Sequence, residues 1–270
     1  MIITFAHYKG GTGKTTSCLS IAGWLAKFGE KVLVVDFDPQ GNATSGLGID
    51  KKTLIESIYD IMRNKRKKIS SIILETGIKN LHLVPADQNL DRINLKTYQK
   101  RSDALYLKNA LKDIKKYYDY ILIDTPPVHS HFIINGMAAA DSIIVVLDPG
   151  IFALEGIEIL KDSFGDFFKK LNLNLNIDMA LITKSPGFSL FRKNHAKEIR
   201  KDTKRILEKE VFIIPYSNHI YHTHIKGKPI SHYKPRSKVG RAYKKVALNL
   251  SNKKNIKKEI NKRVGVLSKK

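Results

Sequence analysis

The sequence predicts an α/β fold: a doubly wound, mostly parallel sheet with helices on both faces. Three observations carry this expectation. Short apolar runs alternate with helical patterns along the chain, and such alternation builds parallel sheets through crossover helices. A glycine-rich turn, Lys9-Gly10-Gly11-Thr12-Gly13-Lys14-Thr15-Thr16, joins the first run to the first helical pattern. Two acidic segments end predicted strands, at the sheet edge where ligands bind.

Ile2–Ala6 is the first strand. Thr16–Gly29 reads as a helix, because Leu19, Ile21, Ala22, Leu25, Ala26 and Phe28 form a broad apolar face and Gly29 can stop it. Lys31–Phe37 is a continuous apolar run ending in acid, as a strand covered on both faces requires. Thr53–Met62 has a helical pattern. Asn80–Pro85, Tyr120–Asp124, Ser142–Leu147, Met179–Thr183 and Val211–Pro215 complete the strands. The expected organisation is one domain over residues 1–250 with a basic last third, then a basic tail or final helix over 251–270. Arg63–Lys68 reads as a solvated loop.

Composition narrows the class. The chain has 270 residues, 42% of them hydrophobic, enough for a folded core. No run of 18 apolar residues suggests a membrane span, and Met1–Ala6 leads straight into the glycine turn, so neither a secretory signal nor a preceding helix-turn-helix domain is expected. The single cysteine, Cys18, forms no internal disulfide and reads as a small core residue. Its isolation argues against a cysteine-ligated metal cluster. A cytoplasmic protein is the expectation. Formal net charge is +23, unevenly placed: residues 186–270 hold 24 Lys and Arg against 5 Asp and Glu, leaving the first 185 near balance. Such asymmetry points to a polyanionic partner.

The glycine turn carries the chemistry. Strand, turn and helix N-terminus aim several backbone N–H groups at one point, where the helix dipole adds positive potential. Gly13-Lys14-Thr15 closes the phosphate-binding pattern G-x-x-x-x-G-K-[ST], although Tyr8 stands where its first glycine belongs. Gly10, Gly11, Thr12, Gly13, Lys14, Thr15 and Thr16 are the expected nucleotide-binding residues. Lys14 would reach the β- and γ-phosphates, Thr15 would ligate Mg²⁺, and Asp124 would hold the metal directly or through water. Lys9 opens the loop with no obvious target in its own subunit, and could reach a phosphate held by a facing copy. Asp36 and Asp38 begin on one face of a strand, and the turn at Pro39 can separate them.

These segments resemble the ParA/MinD family of deviant Walker-type ATPases, whose loop reads K-G-G-x-x-K-[ST]. The resemblance spans most of residues 1–250. Val32–Thr44 matches the second family motif, and its Pro39-Gln40-Gly41-Asn42 tail favours ParA over MinD. Tyr120–Pro127 matches the third. The family usually has Asn-Gln before the first lysine, where this chain has His7-Tyr8. The resemblance implies a P-loop fold, ATP and Mg²⁺ as cofactors, and Mg²⁺-dependent hydrolysis with Lys9, Lys14 and Asp38 catalytic. It places Asp38 beside the attacking water and Asp36, with Thr15 and Asp124, in support of the metal and switch region. It sets a late-strand proline, here Pro215, against adenine. A proline that merely ends the strand is an equal reading, and the base's hydrogen-bonding partner stays open between Ser217 and Asn218.

Basic residues cluster twice. Arg192, Lys193, Lys197, Arg200, Lys201, Lys204 and Arg205 fall in a helical stretch, and Lys234, Arg236, Lys238, Arg241, Lys244 and Lys245 form a second group. Contacts of this kind bind DNA through phosphates without reading sequence. The resemblance implies an ATP-dependent homodimer, nonspecific DNA binding on the nucleoid, a ParB-like centromere-binding partner that stimulates hydrolysis, and a role in plasmid or chromosome partition. The alternative is a MinD-like membrane-surface switch, for which Ile256, Ile260 and Val264 among lysines offer a thin amphipathic face. Stable membrane association is not expected. A metabolic ligase on the same scaffold is a third class, and the Asp36–Thr44 segment argues against it.

Overall fold

The computed structural model describes residues 1–7, 9–93, 101–127, 131–149, 153–170, 172–173, 176–185 and 190–267. Eight strands form one sheet: β1 (Ile2–Ala6), β2 (Val32–Asp36), β3 (Leu74–Glu75), β4 (Leu81–Val84), β5 (Tyr120–Asp124), β6 (Ser142–Leu147), β7 (Ile177–Ser185) and β8 (Glu210–Pro215), in the order β3-β4-β2-β5-β1-β6-β7-β8. All neighbours pair in parallel except β3 with β4. Every residue of β1, β2, β5 and β6 is buried, which is why these strands read as unbroken apolar runs.

The helices are α1 (Lys14–Lys27), α2 (Asn42–Gly46), α3 (Ile58–Arg63), α4 (Arg101–Ala104), α5 (Tyr106–Leu111), α6 (His131–Ala139), α7 (Ala153–Lys170), α8 (Leu190–Leu207), α9 (His219–Lys226), α10 (Ile230–Tyr233) and α11 (Lys238–Leu267). Strand residues alternate between two layers. Ile3, Phe5, Val32, Val34 and Leu122 face α1 and α11. Ile2, Leu33, Val35, Ile121 and Ile123 face α3 and α5, and Val145 and Ile182 face α6, α7 and α8. Tyr243 of α11 reaches Ser17 of α1 at 3.0 Å, and Trp24 Nε1 donates to the Gly240 carbonyl at 3.0 Å.

Several expectations are corrected. Thr53–Met62 is not one helix: a 3₁₀ turn covers Lys51–Thr53, and α3 starts only after Ser57. Ser57 accepts from Tyr59 N–H while its own N–H donates to Asp60, a reciprocal cap that fixes the start. Helix α1 begins two residues before the expected Thr16, with Gly13 at its N-cap, and ends before Gly29, whose φ is +92°. Helix α11 runs continuously across residue 250. Arg63 to Lys68 is largely exposed, as a solvated loop should be, and Cys18 is buried in the core. No helix among the described residues is long and apolar enough to cross a membrane.

Candidate nucleotide site

Strand β1 occupies the sheet centre, between β5 and β6, so the turn that follows it emerges where the chain winds off in both directions. Register pairs Asp36 with Asp124 and Phe5 with Asp124. The two acids therefore sit side by side beneath the turn. Gly11 and Gly13 have φ of 72° and 89°, values that only glycine adopts freely. Thr125 donates to the Phe5 carbonyl at 2.7 Å, tying β5 to the end of β1. His7, buried just after β1, accepts from the Lys9 N–H at 3.1 Å; burial pushes its pKa down to about 4. Tyr8 lies outside the described residues.

The two lysines of the turn differ in burial. Lys14 is buried and donates to the Lys9 carbonyl at 3.2 Å. Burial lowers its pKa, opposed by the Asp124 and Asp38 carboxylates. Lys9 keeps 46% of its side chain exposed and donates to Asp148 of its own chain at 3.2 Å, so the expectation that it lacks a target in its own subunit is corrected.

The acids divide the work. Neither carboxylate oxygen of fully buried Asp124 makes a well-formed hydrogen bond among the described residues, and Thr15 is the side-chain donor beside it. Burial and the neighbouring Asp36 raise its pKa strongly, against the pull of Thr15 and Lys14. A buried carboxylate so poorly satisfied is costly unless a cation joins it, so Asp124 with Thr15 beside it fits a bound Mg²⁺. Asp36 differs: Oδ2 accepts from both the N–H and the hydroxyl of Thr44 at 2.7 Å, and Oδ1 from the Asp38 N–H at 3.3 Å. Burial nonetheless pushes its pKa up to about 6. Its carboxylate therefore grips α2 through Thr44. Asp38 accepts from the Gln40 N–H at 2.9 Å, and burial raises its pKa against Gln40 and Lys14.

Thr44, the last residue of the second motif, holds more than Asp36. It also accepts from the Ala86 N–H at 3.0 Å, clasping β2, α2 and the end of β4 together. A cavity of roughly 240 Å³ opens beside the turn, lined by Gly13, Thr16, Pro215, Ser217, Asn218 and Tyr221 among others. Pro215 thus stands next to the loop, and both candidate polar partners line the same space. Thr16 meets His224 of α9 at 3.3 Å.

The two basic groups are separated by the sheet. Helix α8 packs with α7 in one layer and α11 with α1 in the other, and both border edge strand β8. Lys197, Arg200, Lys201, Lys204 and Arg205 are exposed. Arg200 Nε donates to the Val211 carbonyl at 2.9 Å, and Arg205 pairs with Asp202. The side chains of Arg192, Lys193, Ile256, Ile260 and Val264 lie outside the described residues. Lys234, Arg236, Lys238, Arg241, Lys244 and Lys245 are exposed, with Lys244 over the Trp24 ring.

A family model described as an AAA domain matches residues 1–177. Sporulation initiation inhibitor protein Soj of Bacillus subtilis is 36% identical over 254 residues, spanning 92% of this chain and 98% of that protein. Chromosome partitioning protein ParA of Myxococcus xanthus is 33% identical across 90% of this chain and 84% of its own length. The septum site-determining protein MinD of Pyrococcus horikoshii, solved with Mg-ADP, superposes with a TM-score of 0.73 at 26% identity, covering 92% of this chain and 95% of that one. The similarity runs over most of the length of each of these relatives, and the chain belongs to the ParA/MinD family of ATPases, as a ParA-like member using ATP and Mg²⁺.

Proposed function

We propose that this ATPase partitions a plasmid or chromosome: ATP closes a homodimer, the dimer binds DNA without sequence preference on the nucleoid, and a ParB-like partner stimulates hydrolysis and release. The observation that carries the reading is the contrast between the two loop lysines. Lys14 is buried beside its own phosphate loop, whereas Lys9 stands half-exposed at its mouth. A cation so placed can neutralise charge on a nucleotide held by a facing copy.

Within one protomer, Lys14 and the loop amides neutralise phosphate, and Pro215 takes the adenine. Thr15 and Asp124 would hold Mg²⁺, which neutralises charge on the phosphate oxygens. Asp38 orients the attacking water, and Asp36 sets the switch helix through Thr44. The exposed basic residues of α8, of the segment between α10 and α11, and of α11 support DNA as the polyanion, since such contacts need only phosphates. Relatives named for chromosome partition support the cargo class.

The test is DNA retention and dimerisation with ADP and with ATP. Wild type should dimerise and retain DNA only with ATP. Asp38→Ala should prolong the DNA-bound state. Lys9→Ala should weaken the ATP dimer by about a hundredfold or more while still binding nucleotide. A Lys9→Ala protein that dimerises normally removes the trans role. Retention independent of nucleotide removes the switch, and ATP-dependent capture by anionic vesicles in place of DNA favours the MinD-like alternative.

A further inference from the structure

The phosphate loop is held from behind by the end of β7. Thr183 Oγ1 donates to the Thr12 carbonyl at 2.6 Å, and Lys184 Nζ donates to the Gly11 carbonyl at 2.5 Å. Thr183 is buried against the loop: a Cβ at Gly13 would lie 3.4 Å from its hydroxyl. Both residues line the cavity beside the loop.

Lys184 reaches its target through an unusual backbone. Its φ is +53°, in the left-handed region that residues with a Cβ rarely enter. At the same point the pairing of β7 with β8 shifts register, between Ile182 and Ser185. Regular alternation would send residue 184 the same way as Ile182, into the layer of α7 and α8. The irregularity instead aims the ammonium at the loop, a known use of such breaks beside active sites.

The consequence follows from peptide geometry. None of the described peptide bonds is cis, and in a trans peptide the C=O and N–H point in opposite directions. With the Gly11 carbonyl fixed toward β7, the Thr12 N–H points away from β7. With the Thr12 carbonyl fixed, so does the Gly13 N–H. Two consecutive loop amides are thereby oriented before a ligand arrives. We propose that Thr183 and Lys184 are positioning residues of the nucleotide site, which preset the Thr12 and Gly13 amides for phosphate and add a third ammonium to the field there.

The inference deepens the ATP-binding reading and rests on it. An unanchored loop must be ordered on binding, so the loss belongs in affinity more than in the chemical step. Lys184→Met, Lys184→Gly, Lys184→Arg, Thr183→Val and Thr183→Ser are compared by ADP titration calorimetry and steady-state ATPase kinetics. Lys184→Met, Lys184→Gly and Thr183→Val should each raise the ADP dissociation constant and KM for ATP about tenfold, with kcat falling much less. Lys184→Arg and Thr183→Ser should restore most of the affinity. Glycine accepts the left-handed backbone, so matching losses in Lys184→Met and Lys184→Gly assign the effect to the ammonium. Wild-type affinity in both Lys184 variants, or a loss confined to kcat, overturns the inference. Wild-type protein that binds neither nucleotide overturns the ATP reading and this inference together.

Discussion

Asp141 shows how one surface acid can hold the fold's first strand. Its Oδ2 accepts from the Ile2 N–H at 2.8 Å and its Oδ1 from Lys115 at 3.0 Å. Its own N–H donates to the Ile2 carbonyl, and its carbonyl accepts from Asn176 at 2.8 Å. Burial alone would raise its pKa, but the Ile2 N–H and the Lys115 ammonium outweigh burial and hold it below the ordinary carboxylate value. A carboxyl depressed in the folded state stabilises above its unfolded pKa, and that stability is lost as pH falls through the folded value. Asp141→Asn should therefore cost about 1 kcal/mol near neutral pH, since the group is partly exposed. The gap between wild type and variant should narrow only as the pH falls below the ordinary carboxylate range and through the depressed folded value. Urea denaturation followed from neutral pH into acid measures it, and a constant gap would assign the loss to shape instead of charge.

At the scale of elements, two glycines with positive φ separate strain from crowding. Gly29 follows α1 with φ +92° and nothing within 4 Å of where a Cβ would stand. Gly41 caps α2 with φ +60°, but a Cβ there would lie 2.7 Å from the Ala86 carbonyl oxygen. Gly29→Ala should cost about 1 kcal/mol, from backbone strain alone. Gly41→Ala should cost about 2 kcal/mol or more, because backbone must also move, and it should loosen Thr44 from Asp36. Chemical denaturation of both variants checks the ranking, and equal costs would contradict it. The same elements show what the sequence made legible. The central strands announced themselves because both their faces are buried, and Gly29 marked the end of α1. The helical pattern over Thr53–Met62 misled because Ile55 fits it while being 97% exposed; the Ser57–Asp60 cap decides the start. Strand β3 is two residues long and has no periodicity to read. The loop and its acids were legible because their spacing is local. Thr183 and Lys184 were not, since their targets lie at the other end of the chain.

For the whole molecule, the arrangement of positive charge is what linear order conceals. The two basic groups are separated in sequence and, in space, by the sheet, with α8 on one side and α11 on the other. Helical spacing gave α8 its basic face but says nothing of which layer a helix joins. Both helices border β8, an edge strand of the sheet, so a duplex that met both basic groups would lie along that edge. Each neutralised phosphate contact contributes about 0.9 to the slope of log affinity against log salt. Lys201→Gln with Lys204→Gln should then lower the slope of the ATP form by about 2, and Lys244→Gln with Lys245→Gln by about 2 more, the four together by about 4. DNA binding titrated over a range of salt distinguishes the cases. If only the α11 pair changes the slope, the duplex lies on one layer and the charge of α8 serves another partner. If neither does, the polyanion is met elsewhere and the basic last third is not the DNA-binding surface.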